Sequence, residues 1–371
     1  MSTISKSKII QISLALIIVL VIAVAYQLFY NKTTDEIKET IKISKPRPYG
    51  TLVPLSDPLR ARTMAEYRTD IQKMINSAIA AGEFGKPSEK LGQACTLALS
   101  GGARIRSIIA FEVSRMLQLK KMYTNKPNTT PAINVSEIAL FNEYLHTASL
   151  IIDDMPEFDN DLIRRGKPSV IAFAGRATAQ MAAISMVSAA FGSCCHHTDY
   201  LVADHSEIIN PYKSGALTTS LITMAIGAQG AAQGQLMDIS DAGTLPKDKV
   251  EEMISLKTAV FFQLATASGW VASGGDVKDL ETIQAAGRHL GIAYQIADDI
   301  SDMEKDSTRA ALVNRSDPNF ANAHGIKYAY DELNYHLAET KHALTSLGIW
   351  SALWEKEIFP LMIARANETV N

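Results

Sequence analysis

The chain has 371 residues, of which 47% are apolar and 20% charged, so it can bury a sizeable core and is not intrinsically disordered. A formal net charge of −3 and scattered basic residues exclude a strongly basic surface, and we therefore expect no nucleic-acid partner. Three cysteines, two of them adjacent, exclude a disulfide framework and indicate a reducing compartment.

Residues 9–30 form an uncharged, apolar run near the N-terminus. A helix of this length spans roughly the 30 Å of a bilayer core, so the run predicts a transmembrane anchor that follows a short tail at residues 1–8. A cleaved signal peptide is the alternative, because Lys6 and Lys8 make a basic start and residues 23–25 resemble a cleavage site. The run is longer than the apolar segment of a usual signal peptide, and this favours the anchor.

Basic residues are more frequent after the apolar run than before it. Those that follow it closely are Lys32, Lys38, Lys42, Lys45 and Arg47. The positive-inside rule then predicts a single-pass membrane protein whose C-terminal part faces the cytosol. Residues 31–58 are polar and rich in proline, which predicts a tether, and residues 59–371 are predicted to form one globular domain.

Apolar residues recur at spacings of three and four through this domain, as in residues 64–79, and this is the period of an α-helix. The same period marks Ile138 to Ile152, Thr178 to Phe191, Ser214 to Met237, Lys249 to Ala272, Leu280 to Asp302 and Ile326 to Leu347. We therefore predict an all-α bundle of about ten helices. Residues 303–322 are predicted to form a polar loop.

Two acidic clusters stand at the ends of apolar helical runs. In the second, Asp298 and Asp302 are four residues apart and share one face of a helix, so their carboxylates can converge on one cation. In the first, a regular helix would turn Asp153 and Asp159 apart, so we expect Pro156 to mark a loop that brings Asp159 back.

A single pair of aspartates in such a place is more often a solvated helix end. Two clusters that each follow a run predicted to be buried favour a cation instead, because uncompensated buried carboxylates are costly. Magnesium suits oxygen ligands and keeps positions open for phosphate oxygens. We therefore expect Asp153, Asp159, Asp298 and Asp302 to bind Mg²⁺.

Residues 146–168 contain a DDxxxxD motif followed by Arg-Arg-Gly-Lys-Pro, and this stretch closely resembles the first aspartate-rich motif of geranylgeranyl diphosphate synthases, which are trans-polyprenyl diphosphate synthases. Further motifs of that family follow in the same order. They are Gly101-Gly102 with Arg104 and Arg106, Gly234-Gln235 with Asp238, Lys257-Thr258, and Tyr294-Gln295 before the second aspartate cluster. The resemblance covers roughly residues 60–345.

The resemblance implies an isoprenoid-synthase-type helical bundle around a deep central cavity, acting as a homodimer. It also implies a prenyltransferase that uses three Mg²⁺ ions to condense isopentenyl diphosphate with an allylic diphosphate. The catalytic residues would be Asp153, Asp154, Asp159, Lys257, Thr258, Gln295, Asp298 and Asp299. Because Ala148 and Ser149 are small, nothing just before the first motif would stop the product at fifteen carbons, and geranylgeranyl diphosphate is the expected product.

By the same resemblance, Arg164, Lys257 and Lys167 would contact the allylic diphosphate, and Gln295 would bond near the reacting centre. The acceptor diphosphate would contact Arg106, His146 and Arg165. A histidine of this kind is otherwise often a satisfied core residue. The position of His146, two helical turns before Asp153, favours a ligand.

The chain departs from the family pattern on the acceptor side. Where the family has Gly-Gly-Lys-Arg-x-Arg-Pro, this sequence has Ala103 in place of the lysine and Ser107 in place of the proline. A terpene synthase that ionises a prenyl diphosphate without condensing it is therefore the main alternative. A noncatalytic synthase subunit is a further one, although such subunits tend to lose the aspartates that this chain keeps.

Overall fold

The computed structural model describes residues 55–124, 132–239, 247–313 and 319–368. All of them belong to one unit of the chain, Tyr49–Asn371. The predicted tail and membrane anchor lie outside the described residues, as does the tether up to residue 54.

Fourteen α-helices run through the described residues, and we number them in chain order. They are α1 (Met64–Ala80), α2 (Lys90–Ala98), α3 (Ile105–Thr124), α4 (Ser136–Asp153), α5 (Val170–Ala174), α6 (Arg176–Asp204), α7 (Pro211–Ile226), α8 (Ala231–Ile239), α9 (Lys247–Ile254), α10 (Val260–Ala272), α11 (Leu280–Val313), α12 (Phe320–His324), α13 (Ile326–Ser346) and α14 (Phe359–Asn367). Two π-helical turns, Ser255–Ala259 and Trp354–Ile358, precede α10 and α14, and a 3₁₀ turn, Val277–Asp279, precedes α11. Two short strands, β1 (Ile163–Arg164) and β2 (Lys167–Pro168), pair antiparallel between α4 and α5.

Local sequence explains how the first helix begins. Thr63 accepts a hydrogen bond from the Glu66 backbone, and the Glu66 side chain accepts one from the Thr63 backbone. This capping box satisfies amide groups that the first helical turn leaves without partners. The apolar stripe that follows is fully buried at Tyr67, Ile71 and Ile75, as its helical spacing predicts.

The core lies where α3, α4, α10 and α11 meet. Helix α10 packs against α3 and α11, α4 packs against α6, and α11 packs against α13. Large side chains fill the contacts between these helices, and those fully buried include Phe141, Tyr144, Phe262 and Trp270. The predicted all-α bundle is confirmed for the described residues. The hairpin formed by β1 and β2 is a small addition to it.

The polar loop predicted at residues 303–322 is wrong, because α11 continues to Val313. Side chains from the following segment bond to this extension. Asn322 donates from its amide to the Met303 carbonyl oxygen at 2.9 Å, and Asn319 donates to the Asp306 carboxylate at 2.9 Å. Glu304 and Lys305 are exposed on this extension, so polar residues here belong to a helix surface, and polarity alone did not mark the end of the helix.

Helix α6 is the one helix in the described ranges whose length and composition would allow it to cross a membrane. Within its most apolar window, 44% of the residues are buried inside the protein. It packs against α4 and α7, and its buried residues, such as Ala182 and Met186, face the bundle. The burial of these residues in the core thus partly explains the apolar composition of α6.

Candidate active site

A deep cavity of about 960 Å³ opens inside the bundle. This volume is at the upper end of the range typical of small-molecule sites. Its walls come from α3, α4, α8, α10, α11 and the π-turn before α10, with α14 at one edge. Two of the three predicted donor contacts, Arg164 and Lys257, line it, together with the predicted site residues Asp153, Thr258, Gln295 and Asp298. All three predicted acceptor contacts, Arg106, His146 and Arg165, line the same cavity.

The first acidic motif closes into a tight loop after α4. Helix α4 ends at Asp153, and the backbone amide of Asp159 donates to the Asp153 carbonyl oxygen at 2.8 Å. A further amide, that of Asn160, donates to Met155 at 3.0 Å with a left-handed backbone at Asn160. The loop expected around Pro156 therefore does return Asp159 to the side of Asp153.

Asp153 faces a lysine that comes from the π-turn. Burial raises the pKa of Asp153 to about 6, with Lys257 opposing this rise and Asp159 and Asp238 adding to it. Lys257 donates to Asp238 at 2.6 Å, and although burial opposes it, the neighbouring carboxylates raise the lysine pKa above its usual range. Lys257 is therefore charged and held among three carboxylates.

A glycine lets α8 reach this lysine. A Cβ placed on Gly234 would lie 2.3 Å from the Lys257 backbone nitrogen, well inside any real contact. The absence of a side chain thus allows α8 to bring Asp238 against Lys257. The sequence offered Asp238 only as part of a family motif, and its role in holding Lys257 required the structure.

The second acidic motif divides between two environments. Asp298 lines the cavity and accepts a hydrogen bond from Arg365 at 2.8 Å. Asp302, one turn further along α11, lies 3.9 Å from the same guanidinium and 3.4 Å from Lys305. Burial raises the pKa of Asp298, while Arg365 opposes the rise.

Asp299 points away from the cavity and holds the positions of other residues. It accepts hydrogen bonds from the Phe320 backbone and from the Gln295 amide, both at 2.8 Å, and burial raises its pKa to about 7. Gln295 in turn accepts a hydrogen bond from Thr258 at 2.8 Å. The chain from Thr258 to Asp299 fixes the amide of Gln295 at the cavity wall.

Asp154 has a similar supporting position beside the first motif. It is almost fully buried, does not line the large cavity, and accepts a hydrogen bond from the Nε of Arg164 at 2.8 Å. Arg164 also lies 3.5 Å from Asp161. The two carboxylates orient Arg164 towards the cavity, so each aspartate pair contains one cavity residue and one supporting residue.

The residues predicted to contact the acceptor diphosphate include a cation with unsatisfied hydrogen-bonding capacity. Arg106 is buried, its Nε has no hydrogen-bond partner, and its guanidinium lies 4.7 Å from the centre of the Phe262 ring. Burial lowers the pKa of His146 well below its usual range, and the Arg106 charge adds to this effect, so the imidazole is neutral. Buried donors without partners are costly unless a ligand meets them, and an anion would satisfy Arg106.

Arg165 is held next to the glycine pair of the first family motif. It donates to the Gly101 carbonyl oxygen at 3.1 Å. A Cβ at Gly102 would lie 2.8 Å from the guanidinium carbon of Arg165, and the φ of Gly102 is +105°. Both the space and the backbone conformation therefore require glycine at residue 102. Lys167 lies outside this cavity and donates to Ser100 at 3.2 Å.

The departures from the family pattern change the wall beside Arg106. Ala103 is exposed at the rim of the cavity and carries no charge there. Arg104 is turned inwards and pairs with buried Glu143 at 2.8 Å. Ser107 donates to the Ala139 carbonyl oxygen at 2.6 Å and lies 3.1 Å from the Glu143 carboxylate. Ser107 and Arg104 thus share one buried carboxylate. Ser107 carries no charge, and the charge of Arg104 is paired with Glu143 rather than available in the cavity.

The remaining part of the cavity is apolar. Ala148 and Ser149 line it on α4, together with Leu145, Ile152, Val187, Ile226 and Leu236. Ala148 and Ser149 thus lie at the wall of the cavity, and their role in product length stays a prediction. Gln235 lines the same cavity and its amide nitrogen is buried without a hydrogen-bond partner, a feature that sequence reasoning did not single out.

The donor set fits Mg²⁺ bound together with a diphosphate. Among the residues described by the structure, no group of three histidine, cysteine or acidic side chains could hold a metal ion by itself. Magnesium commonly binds to one or two carboxylates and completes its shell with water and phosphate oxygens. The carboxylates of Asp153 and Asp298 are partly buried and have raised pKa values, so a cation would stabilise their charged form.

Comparisons with known proteins agree with this geometry. Residues 88–314 match the model of the family described as polyprenyl synthetase. A trans-prenyltransferase of African swine fever virus is 33% identical over 306 residues, which cover 82% of this chain and 85% of the viral protein. A geranylgeranyl diphosphate synthase of Pseudescherichia vulneris is 29% identical, with 58% of this chain and 67% of that protein covered.

A solved structure shares the fold. The crystal structure of a geranyltransferase from Legionella pneumophila superimposes with a TM-score of 0.64 and 22% identity, covering 83% of this chain and 97% of the other. The family match covers more than half of the chain, and the viral relative extends the similarity over most of the rest. The chain therefore belongs to the polyprenyl synthetase family of trans-prenyltransferases.

Proposed function

We propose that this protein is a Mg²⁺-dependent synthase that condenses isopentenyl diphosphate with an allylic diphosphate to give geranylgeranyl diphosphate. One observation carries the proposal: a single cavity is lined by the acidic and cationic residues expected at the donor diphosphate, by the cationic residues expected at the acceptor diphosphate, and by apolar side chains. Two anionic diphosphates and one hydrocarbon tail fit these three parts. The number of cationic residues in one cavity favours a reaction between two diphosphate substrates.

On the donor side, the protein binds and orients the leaving diphosphate. Lys257 and Arg164 are charged and held in place by Asp238 and Asp154, so they can make charge-assisted hydrogen bonds to phosphate oxygens. Three Mg²⁺ ions bound at Asp153, Asp159, Asp298 and Asp302 would assist the leaving group as Lewis acids. Loss of the diphosphate would give an allylic cation, and the Thr258–Gln295 pair at the cavity wall would lie near it.

On the acceptor side, Arg106, Arg165 and neutral His146 would hold isopentenyl diphosphate with its double bond towards that cation. The double bond attacks the cation to form a carbon–carbon bond. A proton is then lost to the departing diphosphate, and no protein nucleophile takes part. Apolar residues of the cavity wall, such as Leu145 and Phe261, would limit the access of water, which would otherwise convert the cation to an alcohol.

A class I terpene synthase is the second candidate, and the acceptor-side departures favour it. Without a lysine at residue 103, and with Arg104 bound to Glu143, the acceptor diphosphate meets fewer cations than the family pattern supplies. Such an enzyme would ionise the donor but release a hydrocarbon or alcohol. Arg106 and Arg165 remain available on the acceptor side, and they support condensation over this candidate.

Two matched substitutions test the division of the cavity. Arg106→Gln should raise the KM for isopentenyl diphosphate about tenfold to a hundredfold, because one charge-assisted contact is lost, while the KM of the allylic donor stays the same. Lys257→Gln should instead lower kcat, because it weakens stabilisation of the leaving group. Equal effects of both substitutions on both substrates would contradict the two-sided cavity.

We also propose that the protein acts as a homodimer. Large apolar side chains on α6 and α7 are exposed in the single chain, among them Met181, Ile184, Tyr212 and Met224. A second copy packed on this surface would bury them, and α6 packs against the cavity helix α4. Sedimentation of the protein without residues 1–45 would reveal a dimer, and a monomer at micromolar concentration would contradict it.

The N-terminal apolar run is proposed to anchor the enzyme to a membrane, with the catalytic domain facing the cytosol. The proposal is supported by the uncharged length of residues 9–30 and the basic residues that follow. Removing residues 1–45 should release an active enzyme from the membrane fraction, because the first described helix begins only at Met64. Untrimmed full-length protein in the soluble fraction would contradict the anchor.

A further inference from the structure

Arg365 on the last helix, α14, enters the cavity next to the second acidic motif. Its guanidinium contacts Asp298 at 2.8 Å, Asp302 at 3.9 Å and Glu368 at 3.0 Å. Asp298 and Asp302 are the carboxylates to which the proposed function assigns a metal. A protein cation therefore occupies the position in which a divalent cation would share these ligands.

The contact is of a kind that can be exchanged. The Arg365 side chain is 40% exposed and the Asp298 side chain 28% exposed, so neither is locked in the core. An ion pair that is open to solvent contributes little to stability and can be broken at low cost. A divalent ion at Asp298 would both replace the guanidinium as partner of the carboxylate and repel it.

A cation released from Asp298 has a second site within reach. Arg365 lines the same cavity as Arg106, Arg165 and Tyr294, which lies one turn before Asp298 on α11. Burial raises the pKa of Tyr294, and the charges of all three arginines oppose this rise, in agreement with that shared position. Arg106 and Arg165 are the acceptor-side cations, and Arg365 belongs to the same group by position.

The acceptor side lacks one cation that Arg365 could supply. Ala103 carries no charge, and Arg104 is held by Glu143. His146 is neutral because of burial and the neighbouring arginines. Among the described residues that line this side, Arg106 and Arg165 are then the charged contacts, and an acceptor diphosphate carries more negative charge than two guanidinium groups neutralise.

We propose that Arg365 is an exchangeable cation, which pairs with Asp298 in the metal-free protein and turns to the acceptor diphosphate when Asp298 takes a metal. The inference rests on the proposed function. It makes metal binding and acceptor binding mutually favourable, because each removes Arg365 from its competing position. It also explains how this chain retains an acceptor site without a lysine at residue 103.

The test compares Arg365→Gln with Lys356→Gln, a control that removes an exposed charge shortly before α14. Titration of the metal-free protein with Mn²⁺ alone should show tighter binding to Arg365→Gln than to the wild type, by about fivefold to a hundredfold, because the competing cation is gone. The KM for isopentenyl diphosphate should rise about tenfold to a hundredfold in the same variant, with the donor KM unchanged. Lys356→Gln should change none of these values.

Two further variants keep the test decisive. Arg365→Lys retains the charge, so its Mn²⁺ affinity and its KM for isopentenyl diphosphate should lie between those of the wild type and Arg365→Gln. This variant also keeps the test valid if Arg365→Gln folds poorly. Adding Ala103→Lys to Arg365→Gln should restore the acceptor KM but leave Mn²⁺ binding tight. A merely structural role for Arg365 would weaken both metal and acceptor binding, without rescue by the lysine.

The inference is overturned if Arg365→Gln matches Lys356→Gln in Mn²⁺ affinity and acceptor KM, or if it lowers both affinities. Failure of the proposed function has a different outcome, since the wild-type protein would then consume no isopentenyl diphosphate. In that case the Mn²⁺ titration still decides whether Arg365 competes with a metal at Asp298.

Discussion

At the scale of single residues, the two aspartates of each adjacent pair have different positions and roles. Asp153 and Asp298 face the cavity, whereas Asp154 and Asp299 point away and hold Arg164 and Gln295. Successive residues on a helix face different directions, so a pair of adjacent acids can serve the substrate and its support at the same time. This division is a property of helical geometry, and the sequence alone did not reveal it.

Asp153→Asn should reduce turnover by several orders of magnitude. The substitution removes a charged metal ligand, whose contribution of several kcal/mol corresponds to about tenfold for each 1.36 kcal/mol. Because burial disfavours the charged form of Asp153, the free energy of unfolding should not fall. Asp199→Asn, on the exposed surface of α6, is the matched control. Full activity of Asp153→Asn, or of the wild type in excess chelator, would contradict the metal site.

Asp299 gives a pH dependence to stability. Its pKa rises from 3.8 to about 7 on folding, so the folded protein binds the proton more tightly than the unfolded chain. Below about pH 4, protonated Asp299 makes its full contribution to the free energy of unfolding. This contribution is lost as the pH rises through about 7. The free energy of unfolding should therefore fall over this range by up to about 1.4 kcal/mol per pH unit.

Urea unfolding of the metal-free protein at several pH values measures this slope. Asp299→Asn should flatten it, since the asparagine has no proton to lose. A slope that is the same in the variant and the wild type would assign the pH dependence to other groups.

The residues that sequence reasoning missed are those far from the motifs they serve. Arg365 contacts Asp298 across 67 positions of sequence, and no spacing rule connects a terminal helix with the middle of α11. Gln235 was visible only as part of a motif, and its unpaired amide becomes evident only when the cavity is formed. By contrast, the return of Asp159 to Asp153 followed from local geometry around Pro156 and was predictable.

At the scale of elements, the π-turn Ser255–Ala259 determines where the donor-side cation lies. Such turns insert one residue into a helix and are frequent at functional sites. Here the turn carries Lys257 and Thr258 towards the cavity, and α8 approaches closely enough to pair Asp238 with Lys257. A regular helical period fitted residues 249–272 as well, so periodicity could predict the helix but not the turn within it.

Gly234→Ala tests this close approach. The new methyl group would meet the Lys257 backbone at 2.3 Å, so α8 must move, and we expect a loss of about 1 to 3 kcal/mol in the free energy of unfolding together with a fall in kcat. Gly192→Ala on α6 is the control. Its new methyl group would meet no atom closer than 3.9 Å, so the substitution should be neutral or slightly stabilising. Equal behaviour of the two variants in thermal melts would contradict the packing argument.

The beginning of α7 was predictable from its residue types, whereas the break between α7 and α8 was not predicted. Asn210 and Pro211 cap α7, as their types predict. The stretch from Ser214 to Met237 showed one continuous helical period, yet α7 ends at Ile226 and α8 begins at Ala231. Tertiary contacts with the π-turn position α8 separately, and these contacts are not encoded in a local period.

At the scale of the whole molecule, the fold brings acidic, cationic and apolar side chains around a single cavity of about 960 Å³. The all-α class and the identity of the two acidic motifs were predictable from periodicity and spacing. The convergence of residues from α3, α11 and α14 on this one cavity depends on how these helices meet in three dimensions, and it required the structure.

The most direct measurement of the central claim is product analysis with farnesyl diphosphate, with and without labelled isopentenyl diphosphate. The account predicts label in a twenty-carbon diphosphate, formed only when both substrates and Mg²⁺ are present. A hydrocarbon or alcohol formed from farnesyl diphosphate alone, or no product under any of these conditions, would contradict it.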